Sequence, residues 1–157
     1  MSAAYVIREV DGEVDVAHVR RLVTAHGDAR STTSGVEYVY ADAARMPGPY
    51  VPPRGGIWLA VSSDVGIGCA ALRPVDQRTA EVKRMFVDAE WRGHGVGRAL
   101  LVALIGGARS RGYETLRHGT LDDMTAARWL YESLGFQPIE PYRADELIDT
   151  RFYALAL

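Results

Sequence analysis

The run Arg92-Gly93-His94-Gly95-Val96-Gly97-Arg98 gathers the residue types that hold a phosphorylated ligand by its backbone. It lies between an apolar strand-like stretch, Ala80–Val87, and an amphipathic one, Val96–Ala108, where the chain turns from strand to helix. A helix N-terminus offers several unpaired amide N–H groups and about half a unit of positive charge. Glycine at 93, 95 and 97 removes every second side chain where those amides converge, so phosphate oxygens can approach the main chain. Arg92 and Arg98 flank the loop and add charge, and His94 is a further candidate phosphate contact. A diphosphate suits such a cradle. The competing reading is a tight turn with flexible glycines. Arg-Gly-x-Gly-x-Gly ahead of an amphipathic helix favours the anion site over it.

Two familiar phosphate loops are excluded. The P-loop requires Gly-Lys-Ser/Thr, and here Gly97 is followed by Arg98 and Ala99. The dinucleotide loop requires G-x-G-x-x-G, which neither Gly93 nor Gly95 opens.

Positioning these residues falls to the surrounding elements. Tyr5–Val10 alternates as a strand, and Asp15–His26 carries Val16, Val19, Leu22 and Val23 on one helical stripe. Asp28–Thr33 is predicted as polar loop. A short helix is predicted from Ser34, with Ser34 and Glu37 at capping-box spacing. Pro47-Gly48-Pro49 and Pro52-Pro53 interrupt regular structure. Ile57–Val61, Ile67–Leu72 and Ala80–Val87 form an expected antiparallel meander. After the helix Val96–Ala108 come a strand at Tyr113–Arg117, a helix at Thr125–Leu134 closed by Gly135, and strands at Gln137–Tyr142 and Arg151–Leu157. A meander followed by βαβ predicts an α+β fold with a sheet of mixed direction, and residues 1–157 read as one domain.

Composition narrows the partners. The 157 residues are 48% hydrophobic and 24% charged, with a net charge of −2. That balance, with no basic stripe, argues against duplex nucleic acid. The apolar runs are too short to span a bilayer, and the N-terminus lacks a secretory pattern, so a cytoplasmic location is expected. Cys69 is the lone cysteine, and the histidines are scattered at 18, 26, 94 and 118, which predicts no metal site.

EVKRMFVDAEWRGHGVGRALL resembles the fourth strand, R/Q-x-x-G-x-G/A loop and third helix of the GNAT family of N-acetyltransferases. AARWLYESLGF resembles that family's second motif, and MPGPYVPPRGGIWLAV and GCAALRP are similar to one branch of small members. The likeness runs from about Ala43 to the C-terminus. It implies a mostly antiparallel sheet of about seven strands with about four helices, splayed between its fourth and fifth strands. It also implies acetyl-CoA as co-substrate, its pantetheine arm pairing with Met85, Phe86 and Val87, and its diphosphate on the amides from Arg92 through Arg98, Val96 included. The expected reaction passes acetyl to a primary amine of a small molecule or peptide by direct attack. The alternative is a non-catalytic module that senses acyl-CoA. Oligomeric state is left open, a homodimer included.

Two groups are candidates for the proton transfers. Tyr131 occupies the second motif's tyrosine position, which implies an acid for the leaving thiolate; it also shares helical spacing with Ala127, Leu130 and Leu134, so core packing competes. Glu81, on the fourth strand, is a candidate base through water, with an ion pair to Lys83 or a nearby Arg as the alternative. Strict alternation puts it on the face of Lys83, Met85 and Val87.

Other residues draw plainer expectations. Glu37 reads as a cap partner, and Asp122 and Asp123 as favouring the following helix start. Cys69 reads as a small hydrophobe, and His26 as a helix-end imidazole suited to the dipole. Trp58 and Trp129 are expected in the core, and Trp91 beside the cofactor. Asp28–Arg54 and the loops after Leu116 and Pro138 are expected to receive the acceptor, with Tyr38, Tyr40, Tyr50 and Tyr142 as an aromatic wall or as core. His118-Gly119-Thr120-Leu121 stands where relatives carry Leu-Asp-Thr-Leu, and the frequent Asn before the second-motif helix is absent.

Overall fold

The computed structural model describes residues 4–30, 35–121, 125–142 and 150–157. In chain order its elements are β1 (Val6–Glu9), α1 (Gly12–Ala29), α2 (Val36–Ala44), β2 (Gly56–Ser62), β3 (Val65–Pro74), β4 (Thr79–Val87), α3 (Val96–Ser110), β5 (Thr115–Leu121), α4 (Thr125–Ser133), β6 (Gln137–Ile139) and β7 (Thr150–Ala156). A 3-10 turn, Ala89–Trp91, lies between β4 and α3. The seven strands form one sheet in the order β1-β2-β3-β4-β5-β7-β6.

The expected meander is present: β1–β2, β2–β3 and β3–β4 pair antiparallel. The β4–β5 pair is parallel, as the α3 crossover requires, and β5–β7 and β6–β7 are antiparallel. The parallel ladder spans only Thr79–Glu81 against Thr115–Arg117, while β5 stays paired with β7 as far as Leu121. The sheet therefore splays between its fourth and fifth strands beyond Glu81: its mixed direction is the one the element pattern predicted, and its split is the one the resemblance implied.

Each face of the sheet carries its own core. On one side α1 and α2 set Val19, Leu22, Val23 and Val39 against Leu59, Cys69 and Ala71. On the other, Leu100, Leu101 and Leu104 of α3 and Tyr131 of α4 pack on Ala70, Leu72, Val82 and Leu116. A fully buried leucine contributes about 1.5–3 kcal/mol, so these faces fix where α3 meets β4.

Several expectations need correction. Trp129 is 70% exposed, because it sits on the face of α4 turned from the sheet, whereas Trp58 is buried beside α3 as expected. α1 continues through Asp28 and Ala29, where polar loop was expected, since a helix already packed along its apolar stripe extends over polar residues at low cost. Gly35, in the left-handed region, precedes α2, and Glu37 is exposed. Ser34, Asp122 and Asp123 lie outside the described residues. β6 is only three residues long and ends before Pro141, which has no amide to donate. Among the described residues, no helix is long and apolar enough to cross a membrane.

Candidate active site

α3 begins without a side-chain cap. Its N-cap is Gly95 at φ 81°, and its first amides form the end of the loop that follows β4. Gly93 and Gly95 both hold the left-handed backbone that L side chains rarely adopt. At Gly97 the constraint is space instead: a Cβ there would stand a tight 3.3 Å from Met85 Cε and 3.6 Å from Leu130 Cδ2. The three glycines thus keep one helix tip open by two different means. Arg92 donates from Nε to the Val87 carbonyl at 3.2 Å and lies over the Phe86 ring. Arg98 turns away to α4, donating to Ser133 Oγ at 3.1 Å. Tyr5, Trp91 and His94 form an edge-to-face cluster beside the loop.

Strict alternation fails along β4. Cys69 pairs with Phe86 and Ala71 with Lys83, so β4 carries one more residue than β3 across this interval. Arg84 occupies the extra position at φ 51°. This bulge reverses which residues face which core. Ala80 and Val82 before it, and Met85 and Val87 after it, all pack on the α3 side. Phe86 packs on the α1 side, and Arg84 reaches Asp42 of α2. Glu81 and Lys83 are therefore not on the face of Met85 and Val87.

Tyr131 is fully buried, and burial raises its phenol well above the usual tyrosine value. Its hydroxyl donates to Met85 Sδ at 3.1 Å, and its ring stacks on His118 with centroids 4.0 Å apart. Just past the last β4–β5 backbone pair, the His118 Nδ1–H donates to the Val82 carbonyl at 3.3 Å. A side chain thus ties the strands where their ladder has stopped.

Glu81 is also buried, and its Oε1 lies 3.1 Å from Arg73 Nη2 and 3.4 Å from Lys83 Nζ. The ion pair weighed against the base role is thus present. Arg73 and Lys83 in turn line a cavity of about 460 Å³ with Tyr38, Asp42, Arg45 and Tyr50. Its wall comes from α2 and the proline-rich turn, within the stretch expected to receive an acceptor.

The four tyrosines do not form one wall. Tyr38 and Tyr50 line the cavity, and the Tyr50 hydroxyl donates to Asp42 at 2.6 Å. Tyr40 donates to Asp28 instead, while Tyr142 packs on Phe152 at the other end of the sheet.

Two further groups behave as apolar. Burial pushes the Cys69 thiol up to about 12, so it packs as a small hydrophobe. His26 does not act as a helix-end cation: burial lowers it to about 4, and its ring stacks on Phe86. Among the described residues, no group of three or more His, Cys, Asp or Glu could hold a metal.

Sequence reasoning singled out neither His118, Arg73 nor Arg45, although Arg45 lies within the Asp28–Arg54 stretch expected to receive the acceptor and a nearby Arg was weighed as the Glu81 partner. The only signal for His118 was its place in the run where relatives carry leucine. Arg73 and Arg45 come from elements distant in the chain, and no spacing joins them to Glu81.

The sequence pattern described as acetyltransferase (GNAT) domain matches residues 53–138. An uncharacterised N-acetyltransferase of Bacillus subtilis is 35% identical over 124 residues, spanning 77% of this chain and 80% of that protein. The zebrafish N-acetylaspartate synthetase is 35% identical over 103 residues, 64% of this chain but 36% of that one. Among solved structures, an acetyltransferase from Streptococcus agalactiae shares the fold at TM-score 0.80 and 23% identity, covering 98% of each chain. A GNAT family acetyltransferase from Elizabethkingia anophelis, solved with acetyl-CoA bound, shares it at TM-score 0.65 and 20% identity, again over 98% of each chain.

Proposed function

The chain belongs to the GNAT family of acetyltransferases, and from that premise we propose that it is a single-domain, cytoplasmic enzyme that moves the acetyl group of acetyl-CoA to a primary amine by direct attack in a ternary complex. One observation carries the reading: the uncapped N-terminus of α3 opens beside the split between β4 and β5, where Tyr131 is buried. No side chain caps the first amides of α3 and open space lies beside Gly93, so the residues present fit a ligand that needs main-chain donors.

In this proposal the amides of Arg92, Gly93, His94, Gly95, Val96, Gly97 and Arg98 hold the diphosphate, and Met85, Phe86 and Val87 pair with the pantetheine arm. The co-substrate supplies an activated acetyl thioester. The amine must shed a proton, because an alkylamine with pKa about 10 is charged at neutral pH. We assign that proton to Glu81 through water, Glu81 being buried behind Arg73 and Lys83 of the cavity wall. As the amine lone pair forms the C–N bond and the C–S bond breaks, Tyr131 gives its hydroxyl proton to the departing sulfur. A raised phenol pKa supports this assignment, since the group stays protonated until a thiolate develops beside it.

Ligand-dependent melting tests the co-substrate. Acetyl-CoA at about 100 times its dissociation constant should add roughly 2.7 kcal/mol of stability, and ATP or NAD little. Equal stabilisation by all three would remove the reading. Glu81→Gln tests the base: it should lower kcat and steepen its rise with pH, whereas an unchanged profile would leave Glu81 as a holder of Arg73 and Lys83.

A further inference from the structure

Among the described residues, the cavity beside β4 has more cations than carboxylates. Arg45, Arg73, Lys83 and Arg84 line it, and the described carboxylates that answer them are Asp42 and, behind the wall, Glu81. Asp42 is already engaged twice through one oxygen: Arg84 Nε lies 2.7 Å from Oδ2, and the Tyr50 hydroxyl donates to it at 2.6 Å. Glu81 meets both Arg73 and Lys83 through Oε1. Among the described residues four cations thus face two carboxylates, and Arg45 makes no ion pair there.

Resting on the acetyltransferase reading above, we infer that the acceptor is an amine that also carries a carboxylate, in the first place an amino acid, and that Arg45 receives that carboxylate at the cavity rim. A guanidinium binds a carboxylate through two parallel N–H donors, a geometry that a lysine cannot reproduce. The volume of about 460 Å³ lies in the range of small-molecule sites, roughly 300–1,000 Å³. Lys83 of the cavity wall and Met85 flank the Arg84 bulge on β4, so the cavity borders the strand segment proposed to hold the pantetheine arm. A polyamine or aminoglycoside adds charges of the same sign as the wall and is disfavoured.

The test assays the full chain with the twenty L-amino acids, the twenty matching amino acid amides and a panel of polyamines and aminoglycosides, reading free CoA thiol. The expected result is that at least one amino acid exceeds its amide about tenfold or more in kcat/KM, as loss of one charge-assisted hydrogen bond requires. Arg45→Ala should erase most of that preference through KM for the acceptor, with KM for acetyl-CoA unchanged and with Arg45→Lys recovering only part. Because Arg45 is exposed, the variant is expected to keep the wild-type melting temperature. Amides or polyamines used as well as acids, a preference untouched by Arg45→Ala, or weakened acetyl-CoA binding would each overturn the inference while leaving acetyl transfer standing. No turnover on any amine overturns acetyl transfer itself. Melting shifts with the amino acids alone then decide the anion site: a rise lost in Arg45→Ala supports it, and no rise ends it.

Discussion

The Tyr131 hydroxyl donates to the Met85 thioether across 3.1 Å, joining α4 to β4 at the edge where the sheet splits. Both residues belong to the proposed acetyl-transfer machinery, yet they are 46 positions apart in the chain. A thioether is a weak acceptor, so the proton remains available to a stronger one.

Tyr131→Phe should therefore lower kcat by about 10²–10⁴-fold, with KM for acetyl-CoA little changed. Stability should shift by less than about 1 kcal/mol, because the ring still packs on His118 and Phe136 and only a weak bond is lost. Steady-state kinetics with a melting curve checks both; wild-type turnover would remove Tyr131 from the mechanism.

Gly95→Ala places a side chain at φ 81°, a strain of about 1 kcal/mol that the fold should survive. Movement of the loop to relieve it would misalign the first α3 amides. The expected outcome is a smaller melting shift with acetyl-CoA and about a tenfold rise in its dissociation constant by calorimetry.

Gly107→Ala tests the packing that fixes α3. Alanine favours helix by about 1 kcal/mol over glycine. Its Cβ, however, would fall 2.1 Å from Trp58 Cζ2, a buried ring with little room to retreat. Overpacking of that kind costs about 1–3 kcal/mol and should win, so urea unfolding should show net destabilisation.

His26 sets a pH dependence of stability. Its folded value is lowered by burial from 6.5 to about 4, so between those values the unfolded chain binds a proton that the folded chain does not. Stability should fall as pH drops through that window, by up to about 3 kcal/mol, and show no further loss from this group below it. His26→Phe, which keeps the stack on Phe86, should flatten the slope; an unchanged slope would assign it to other groups.

Much of the candidate site was legible in the sequence because it is local. Arg92 through Arg98 needed only a strand before and a helix after, and apolar periodicity in Ala80–Val87 and Val96–Ala108 supplied both. Glycine spacing foretold an open helix tip, although it could not separate Gly93 and Gly95, favoured by backbone angle, from Gly97, where Met85 approaches closely.

Tertiary structure decided what depends on contacts across the sheet. A bulge at Arg84 is a property of the β3–β4 register, so alternation along β4 alone gave Glu81 the wrong face. Trp129 was expected in the core, yet its place around α4 exposes it. The cationic cavity joins Arg45 at the end of α2 to Arg73 on β3 and Lys83 on β4, which only folding brings together. Sequence determines the chemistry that neighbouring residues perform, because backbone geometry repeats; which distant charges meet is set by register and packing, which no single segment encodes.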